Sequence, residues 1–305
     1  YLNDTVDIVK GEEDLRPGFH HMSEGFLESA LIDCESKSDC TSYTLKHAAL
    51  KAVTCNEFLV MPDCEPLRVI SSDGAGNAVA ETFRFRKEIK EMGIVPKNIE
   101  QEFALQLLFD TRVTGVSLAG LAGSGKTFLT LGFGIYAMQF LNLYDRVIFT
   151  RSMQDADEPI GFLPGDSNEK VSPWMGALWD NIDSLLKSNN NAEKRADALA
   201  KLRESIKVEP LTFMKGRSFM NTLIIVDETQ DLSPKALKMI CTRLAEGSKI
   251  VFLGNVAQID NPHLTEYTCG LSVFIRKFLR EELAGHVTLQ RGVRSPFATL
   301  AEELL

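Results

Sequence analysis

The chain of 305 residues has no long apolar run. No stretch approaches the roughly 18 consecutive apolar residues that a membrane-spanning helix needs. The first residues have neither the basic nor the apolar region of a secretory signal peptide. They also lack an initiator methionine, so we expect a fragment of a longer protein. These absences predict a soluble globular chain, whose 44% of hydrophobic residues suffice for one large or two ordinary domains.

Cysteine pairs with the spacing of metal or redox sites are also missing. Six cysteines are present, but none of them form a CxxC pair. A chain of this size does not need disulfide bonds to hold its core together. The pattern therefore favours reduced thiols in a cytoplasmic protein. A zinc site built from Cys34, Cys40, Cys55 and Cys64 is the alternative, although this spacing is loose for zinc ligands.

Positive charge is in short supply, with 33 Lys and Arg against 42 Asp and Glu and a net charge of −9. A nucleic-acid partner requires a basic surface. Residues 1–95, however, hold 10 basic and 17 acidic residues, which leaves 23 basic and 25 acidic residues, a net −2, for the rest. Because a nearly neutral region can still hold a local basic groove, the charge neither supports nor excludes nucleic acid.

A glycine-rich phosphate-binding motif is present at residues 120–127. The glycines let consecutive backbone N–H groups turn around phosphate oxygens, Lys126 reaches the β- and γ-phosphates, and Thr127 can ligate Mg²⁺. A strand pattern precedes the motif and a helical pattern follows it from Phe128, which places a helix N-terminus under the phosphates. The sequence therefore predicts a nucleotide site rather than an ordinary glycine-rich turn. The pattern GxxxxGK[ST] is filled by Gly120, Leu121, Ala122, Gly123, Ser124, Gly125, Lys126 and Thr127.

The character of the chain changes near Pro96. Residues 1–95 mix acidic stretches with short strand-like pieces, which predicts a small β-rich module. Within it, residues 83–86 alternate phenylalanine with arginine, which indicates an edge strand, with stacking on RNA as the alternative reading. We place a domain boundary between this module, residues 1–95, and a second domain, residues 96–305.

The second domain alternates buried strand patterns with helical patterns. This alternation predicts an α/β fold with a mainly parallel sheet covered by helices on both faces. In such sheets, ligands bind at the carboxyl ends of the strands. Apolar strand patterns occur at residues 113–118, 146–150, 223–226, 249–253 and 286–289.

Two adjacent carboxylates follow the strand pattern at residues 223–226. Asp227 can hold the Mg²⁺ shell opposite Thr127, while Glu228 can accept a proton from the water that attacks the γ-phosphate. A kinase has less use for the second carboxylate, so the pair favours hydrolysis over phosphoryl transfer. Gln258, after the next strand, can hydrogen-bond the γ-phosphate or that water.

Further candidates for contact with ATP lie outside the phosphate motif. Gln101, some twenty residues before it, can read an adenine edge because an amide has both a donor and an acceptor. We add Asn98 and Phe128 to the nucleotide-binding set. Arg291 and Arg294 follow the last strand, where a guanidinium can offset the charge that develops on the transferred phosphate.

Together these residues closely resemble one family, the PhoH-like ATPases, which are relatives of the superfamily 1 helicases. The similarity runs from about Gly93 to Leu305, and its ending resembles the longer family form in which a PIN nuclease domain precedes the ATPase. It rests on residues 96–101, 120–127, 150–151, 161–166, 214–218, 227–230, Gly254 with Gln258, and 291–296.

The resemblance implies a RecA-like core, ATP-dependent unwinding of RNA or DNA, and ring-shaped hexamers with nucleotide sites between subunits. It assigns Lys126, Thr127 and Asp227 to phosphate and Mg²⁺, and the catalytic base to Glu228. Gln258 corresponds to the γ-phosphate sensor, and Gln101 to the adenine contact. Position 255 departs from the family, because Asn stands there in place of the usual Asp.

For nucleic acid we select Arg151 at a strand end, and Lys215 with Arg217 in a glycine-containing loop. Two cations on a flexible backbone suit phosphates, and Phe213 and Phe219 are near enough in sequence to stack on bases. The other reading is an ordinary turn whose aromatic side chains face the core.

Three functions remain open at this stage: a motor acting on RNA or DNA, a nucleotide-gated assembly or adaptor protein without unwinding activity, and a small-molecule kinase. The Asp227–Glu228 pair disfavours the kinase. For Arg294 we predict entry into the nucleotide site of a neighbouring subunit, and the alternative is a contact with its own subunit's nucleotide.

Overall fold

The computed structural model describes residues 15–151, 167–186 and 192–292. The described chain contains two sheets of six strands each. Its first part comprises β1 (Phe19–His21), α1 (Phe26–Ala30), β2 (Leu31–Ser36), β3 (Thr41–Lys46), β4 (Phe58–Val60), β5 (Leu67–Ser72), β6 (Asn77–Glu81) and α2 (Arg86–Glu91).

The first sheet has the strand order β1-β4-β5-β6-β3-β2. Its neighbours are antiparallel except for the parallel pair β1–β4. A small apolar core that includes Phe26, Leu45, Leu59 and Val69 lies against one face. The predicted β-rich N-terminal module is therefore confirmed, while its proposed boundary at residue 95 stays a prediction.

Residues 83–86 are not a strand, so that prediction was wrong. Arg86 begins α2, and Phe83 packs edge-on against Phe58 and Phe103 in the apolar core. The turn that leads into α2 buries Phe83 and leaves the arginines nearer the surface. Phenylalanine and arginine therefore alternate here although no strand is present.

The second part holds the predicted α/β core. Its elements are α3 (Ile99–Phe109), β7 (Gly115–Gly120), α4 (Lys126–Gln139), β8 (Arg146–Arg151), α5 (Ser167–Leu186), α6 (Ala192–Ser205), β9 (Ile206–Val208), β10 (Thr222–Asp227), α7 (Pro234–Cys241), β11 (Lys249–Gly254), α8 (Gly270–Phe278) and β12 (Ala284–Leu289).

The second sheet has the order β12-β7-β11-β10-β8-β9, and every neighbouring pair is parallel. One strand, β11, separates the phosphate-motif strand β7 from the acidic strand β10. The sheet confirms the predicted α/β fold with a mainly parallel sheet.

Alternate residues of each central strand enter different cores, because successive side chains of a strand point to opposite faces. In β10, Leu223 and Ile225 pack toward a core that also contains residues of α3, α4, α5 and α6. Ile224 and Val226 pack toward the core formed with α7 and α8. Burial on both faces explains why these strands appear in the sequence as continuous apolar runs.

The two sheets share a core. Phe58 of β4 stacks on Phe103 of α3 with 4.3 Å between ring centroids. The Thr288 N–H of β12 donates to the Pro17 carbonyl over 2.8 Å. Next to it, Gly18 runs so close to β12 that an added Cβ would lie 1.9 Å from the His286 carbonyl oxygen, and its φ of +84° also favours glycine. The N-terminal module is therefore packed directly against the edge of the second sheet.

None of the described helices is both long and apolar enough to cross a bilayer. All six cysteines are unpaired thiols. Within the described ranges, no cluster of three or more His, Cys, Asp or Glu side chains is arranged to hold a metal ion.

Candidate nucleotide site

The carboxyl ends of the six parallel strands lie at one edge of the second sheet. In the register of the sheet, Gly120 is paired with Leu289, and Asp227 is paired with Arg151. Gly254 is paired with Ala119. A single edge of the sheet therefore holds the phosphate motif, the acidic pair Asp227–Glu228, Arg151 and the segment that contains Arg291, as the sequence predicts.

The glycines of the phosphate motif are required by the backbone. Gly120, Gly123 and Gly125 have φ values of +141°, +74° and +94°, a region that other residues rarely adopt. An added Cβ at Gly120 would lie 2.2 Å from the Leu289 carbonyl oxygen. Any side chain at position 120 would push β12 away from the loop.

Lys126 begins α4 and bends its side chain back over the loop. Its Nζ donates to the carbonyl oxygens of Gly120 and Leu121 over 2.6 and 2.8 Å. Thr127 and Phe128 follow in the first turn of the helix and are half-buried, while Ser124 is fully buried. A flexible cation thus lies at a helix N-terminus, which is the arrangement that binds phosphate groups.

Gln101 fixes the phosphate loop to α3. Its Nε2 donates to the Ser124 carbonyl over 2.9 Å, and its Oε1 accepts from the Lys97 N–H over 2.8 Å. Asn98 caps α3 by accepting from the Gln101 N–H. Gly125 makes this approach possible, because a Cβ there would lie 2.9 Å from Gln101 Nε2. The Gln101 amide therefore supports the loop directly, and its contact with adenine stays a prediction.

Asp227 ends β10 at the same sheet edge as the phosphate loop. Burial, and then the charge of Glu228, raises its pKa to about 6, against the opposing charges of Arg151 and Lys126. Asp227 is half-buried, and the positive charge around it does not offset the effect of its burial. A carboxylate and the Thr127 hydroxyl are the hard oxygen ligands that Mg²⁺ takes together with substrate phosphates, so these residues fit that ion.

Glu228 has a left-handed backbone with a φ of +49° and a ψ of +45°. This conformation costs about 1 kcal/mol or more for a residue with a side chain. It turns the chain sharply at the strand end. Glu228 Oε1 accepts from Arg151 Nη2 over 3.0 Å, and Oε2 accepts from Gln230 Nε2 over 2.8 Å.

Gln230 links the acidic strand to the neighbouring loop and was missed by the sequence reasoning. Its Nε2 also donates to the Gln258 carbonyl over 3.0 Å, and its Oε1 accepts from the Asn255 N–H. Gly254 leaves room for it, since a Cβ there would lie 2.5 Å from Gln230 Oε1. Gln258 itself is exposed at this edge, so a buried amide connects the predicted base with the predicted sensor.

Asn255 stands where the resemblance leads us to expect Asp. Its Oδ1 accepts from the Ala257 N–H, while its Nδ2 is buried without a hydrogen-bond partner. An unpaired buried donor is costly, and a nucleotide oxygen or a bound water would relieve that cost. The departure replaces an acceptor by a donor at this position.

Glu100 is a second residue that sequence reasoning left without a role. Its buried Oε2 accepts from the Gln290 N–H over 2.8 Å and lies 3.4 Å from the Arg291 N–H. A Cβ at Gly292 would lie 3.9 Å from the Ala122 carbonyl oxygen. The segment after β12 therefore passes beside the phosphate loop with Arg291 exposed. Arg294 and residues 161–166 lie outside the described residues.

The predicted nucleic-acid contacts are not equivalent. Arg217 donates to Glu209 and lies over the Phe219 ring with 4.9 Å to its centroid. Phe219 is fully buried, so its predicted stacking on bases is wrong, because the ring belongs to the core between β10 and α7. Lys215 is exposed and Phe213 is 48% exposed. Arg151 is paired with Glu228.

Comparisons with known proteins give a consistent result. A family model described as PhoH-like protein matches residues 93–304. The chain is 39% identical to Protein PhoH2 of Bacillus subtilis over 213 residues, which cover 70% of this chain and 48% of that protein. It is 33% identical to Protein PhoH2 of Thermobispora bispora over 301 residues, which cover 98% of this chain and 62% of that protein.

The chain therefore spans about half of the length of the curated relatives it matches. Among solved structures, it is similar to the Hef helicase domain of Pyrococcus furiosus, with a TM-score of 0.33 and 13% identity over 67% of this chain and 39% of that chain.

Proposed function

We propose that this chain, which belongs to the PhoH-like protein family, hydrolyses ATP to move along or unwind RNA or DNA. The family and the phosphate motif together make it a P-loop nucleoside triphosphatase. The observation that carries the proposal is the carboxylate pair Asp227–Glu228 at the end of β10, on the same sheet edge as the phosphate loop.

Each residue of this edge has a distinct chemical task in hydrolysis. The backbone N–H groups of residues 121–126 surround the phosphates, and Lys126 exchanges its carbonyl partners for β- and γ-phosphate oxygens. Glu228 accepts a proton from the attacking water, and Gln258 orients that water or the γ-phosphate. When bound at Thr127 and Asp227, Mg²⁺ supplies charge that offsets the phosphate oxygens.

Contact with single-stranded nucleic acid is supported by exposed groups outside this edge. Lys215 and Phe213 provide a cation and an aromatic ring in one short loop, a combination that suits phosphate and base. Gly216, with a φ of +79°, lies in the same loop. We propose RNA as the preferred nucleic acid and DNA as the alternative.

The protein works as a homo-oligomeric ring, which we propose to be a hexamer. In such a ring, Arg291 or Arg294 supplies a cation to the open side of the γ-phosphate, where Lys126 does not reach. Native mass measurement with and without a non-hydrolysable ATP analogue tests the ring. A monomer under both conditions contradicts it. We also propose a PIN nuclease domain upstream of these residues as a partner of the ATPase.

The experiment that decides the function measures ATP turnover with and without single-stranded RNA or DNA, followed by opening of tailed duplexes of both polarities. Stimulated turnover with duplex opening supports the motor. Stimulated turnover without opening at any polarity supports the alternative, a nucleotide-gated assembly or adaptor ATPase. Phosphate transfer to a small acceptor instead of water contradicts both.

A further inference from the structure

The predicted catalytic base is held by the predicted nucleic-acid contact. Arg151 ends β8 and Glu228 follows β10, and the two strands are paired so that Arg151 lies beside Asp227. The guanidinium Nη2 donates to Glu228 Oε1 over 3.0 Å. The only two side chains that bond the Glu228 carboxylate in the described structure are Arg151 and Gln230.

This arrangement controls where the base can act. A general base must lie within about 2.6–3.2 Å of the proton it removes, directly or through one water. Gln230 is buried and tied to the loop of Asn255 and Gln258, so its bond to Oε2 marks a fixed position. Arg151 is the movable partner, because it is half-buried on a strand end. The position of the Arg151 side chain therefore determines the orientation of Glu228 Oε1.

Arg151 is placed on the far side of Glu228 from the phosphate loop. The strand order β7-β11-β10-β8 puts three inter-strand steps between β7 and β8, roughly 14 Å at the spacing of about 4.8 Å per step. Glu228 is one step closer to the loop. The guanidinium is therefore better placed to meet a ligand arriving from outside the nucleotide site than to touch the γ-phosphate of its own subunit.

The ion pair is weak enough to be exchanged. The two side chains are 36% and 34% exposed, so water screens their attraction. The attraction therefore favours the paired over the separated state by only about five-fold or less. A phosphate oxygen pair matches the guanidinium fork at least as well as a single carboxylate oxygen does. A nucleic-acid phosphate can thus take Arg151 from Glu228.

We propose that Arg151 is a positioning residue that holds Glu228 in an unproductive direction until a backbone phosphate of bound nucleic acid engages the guanidinium. The proposal rests on the proposed function for its ligand. It predicts that loss of Arg151 has two separate consequences, one without nucleic acid and one with it.

The test compares the wild-type chain with Arg151→Ala and Arg151→Lys in steady-state ATP hydrolysis, without nucleic acid and with a saturating uridine 20-mer. Arg146→Ala is the matched control, because it removes an arginine from the other end of the same strand. Circular dichroism verifies folding, and direct titration of the oligonucleotide sets the saturating concentration for each variant.

We expect Arg151→Ala to raise kcat without RNA by about two- to five-fold and to leave the KM for ATP unchanged. Its turnover should no longer respond to saturating RNA. Arg151→Lys keeps the charge but loses the fork, so both its RNA-free turnover and its response should be intermediate. Arg146→Ala should behave as wild type.

An RNA-free kcat of Arg151→Ala that equals or falls below that of wild type would overturn the hold on Glu228. A variant that is still stimulated as strongly as wild type would overturn the role of Arg151 as the trigger. Wild-type turnover that ignores both RNA and DNA contradicts the proposed function instead. In that case the RNA-free kcat still decides whether Arg151 restrains the base.

Discussion

Two regions of the molecule hold their charged groups in opposite environments. At the carboxyl edge, Glu228 shares a half-exposed ion pair with Arg151 and stands on a strained backbone. Where the N-terminal module meets the core, Arg68 donates to Asp110 over 2.8 Å and to Asn56 over 2.6 Å, and all three residues are buried.

The buried region continues into the sheet. Lys249, at the start of β11, donates to the carbonyl oxygens of Leu107, Leu108 and Asp110 over 3.0, 2.5 and 2.8 Å. It thereby caps the C-terminus of α3, where the last carbonyls lack partners within the helix. Burial lowers its pKa to about 7 against the charge of Asp110, although three carbonyl acceptors suit the charged ammonium.

The difference separates two kinds of electrostatics. Breaking a buried charge pair leaves an uncompensated charge, so such groups do not change partners during a reaction cycle. Half-exposed groups exchange partners at little cost. The junction therefore keeps the β-rich module in place, while the site edge can rearrange when phosphates arrive.

The largest effect we expect comes from breaking the junction at Asp110. Burial would raise the pKa of this carboxyl, but hydrogen bonds from Arg112 and the charge of Arg68 outweigh it and hold the pKa well below its usual range. Asp110→Ala leaves Arg68 buried without its anion, so we expect a loss of about 3–5 kcal/mol in the free energy of unfolding. Urea denaturation measures this loss.

The same change should leave the site edge intact in the folded fraction. The KM for ATP at a temperature well below the transition is the control. Glu35→Ala is a matched variant, because it removes an exposed carboxylate from β2 of the module. A destabilisation of Asp110→Ala no greater than that of Glu35→Ala would mean that the junction is not the firmly held region.

Next in size are two changes at the site edge that separate binding from turnover. Lys126→Ala removes the cation of the loop and should weaken ATP binding by about 10²-fold or more, since charge-assisted hydrogen bonds contribute about 1.5–3 kcal/mol each. Glu228→Gln keeps the shape but cannot accept a proton, so kcat should fall by about 10²-fold or more with ATP still bound.

Nucleotide titration and steady-state kinetics read out both variants, and neither should change the unfolding transition by more than about 1 kcal/mol. Equal loss of ATP affinity in the two variants would show that Glu228 is not the base. A normal kcat in Glu228→Gln would show the same.

A smaller effect is expected from acidification at the junction. Burial lowers the pKa of His286 from 6.5 to about 4, opposed by a hydrogen bond that the ring Nδ1 donates to the Ser117 carbonyl. Its Nδ1 lies 2.8 Å from Ser117 Oγ, and its Nε2 lies 2.9 Å from Thr288 Oγ1. The unfolded chain takes up a proton at this ring below about pH 6.5, and the folded chain only below about pH 4.

Stability contributed by neutral His286 is therefore present above pH 6.5 and is lost as the pH falls toward 4. Between pH 7.5 and 5.5 the loss should be about 1.4 kcal/mol, the value of one pKa unit. Thermal unfolding of wild type and His286→Gln at both pH values isolates this contribution, because the amide does not titrate. Parallel pH dependence of the two proteins would contradict a neutral buried His286.

Sequence reasoning was strongest where local pattern and burial agree. Apolar runs predicted the parallel strands because both faces of each strand are covered, and the motif at residues 120–127 predicted the loop because its glycines are required by backbone geometry. It was wrong at residues 83–86, where alternation arose from a turn. The burial of Phe219 could not be predicted either, because a loop sequence does not show whether an aromatic side chain points into the core or into solvent.

Partners that come from distant positions also left no local signal. Glu100 bonds a segment 190 residues away, and Gln230 bonds loops 25 and 28 residues away. Both lie within motifs that were noticed, so an unassigned polar residue inside a motif is the available sign. The Arg151–Glu228 pair needed the strand register, which places two unrelated motifs side by side.

The smallest effect concerns the loop after β9, and it sharpens the distinction between held and free cations. Arg217 is already engaged by Glu209 and by the Phe219 ring, whereas Lys215 is exposed and forms no ion pair with any residue that the structure describes. If the loop binds RNA, Lys215→Ala should reduce the salt slope of log affinity by about 0.7, the contribution of one phosphate contact on a single strand. Fluorescence anisotropy of a labelled uridine 20-mer across a salt series measures the slope.

Lys46→Ala, which removes an exposed lysine from β3 of the module, is the charge-matched control and should leave the slope unchanged. Arg217→Ala should lower the slope less than Lys215→Ala does, because its guanidinium must first give up Glu209. Equal slopes for Lys215→Ala and Lys46→Ala would remove this loop from the nucleic-acid surface and leave Arg151 as the remaining candidate contact.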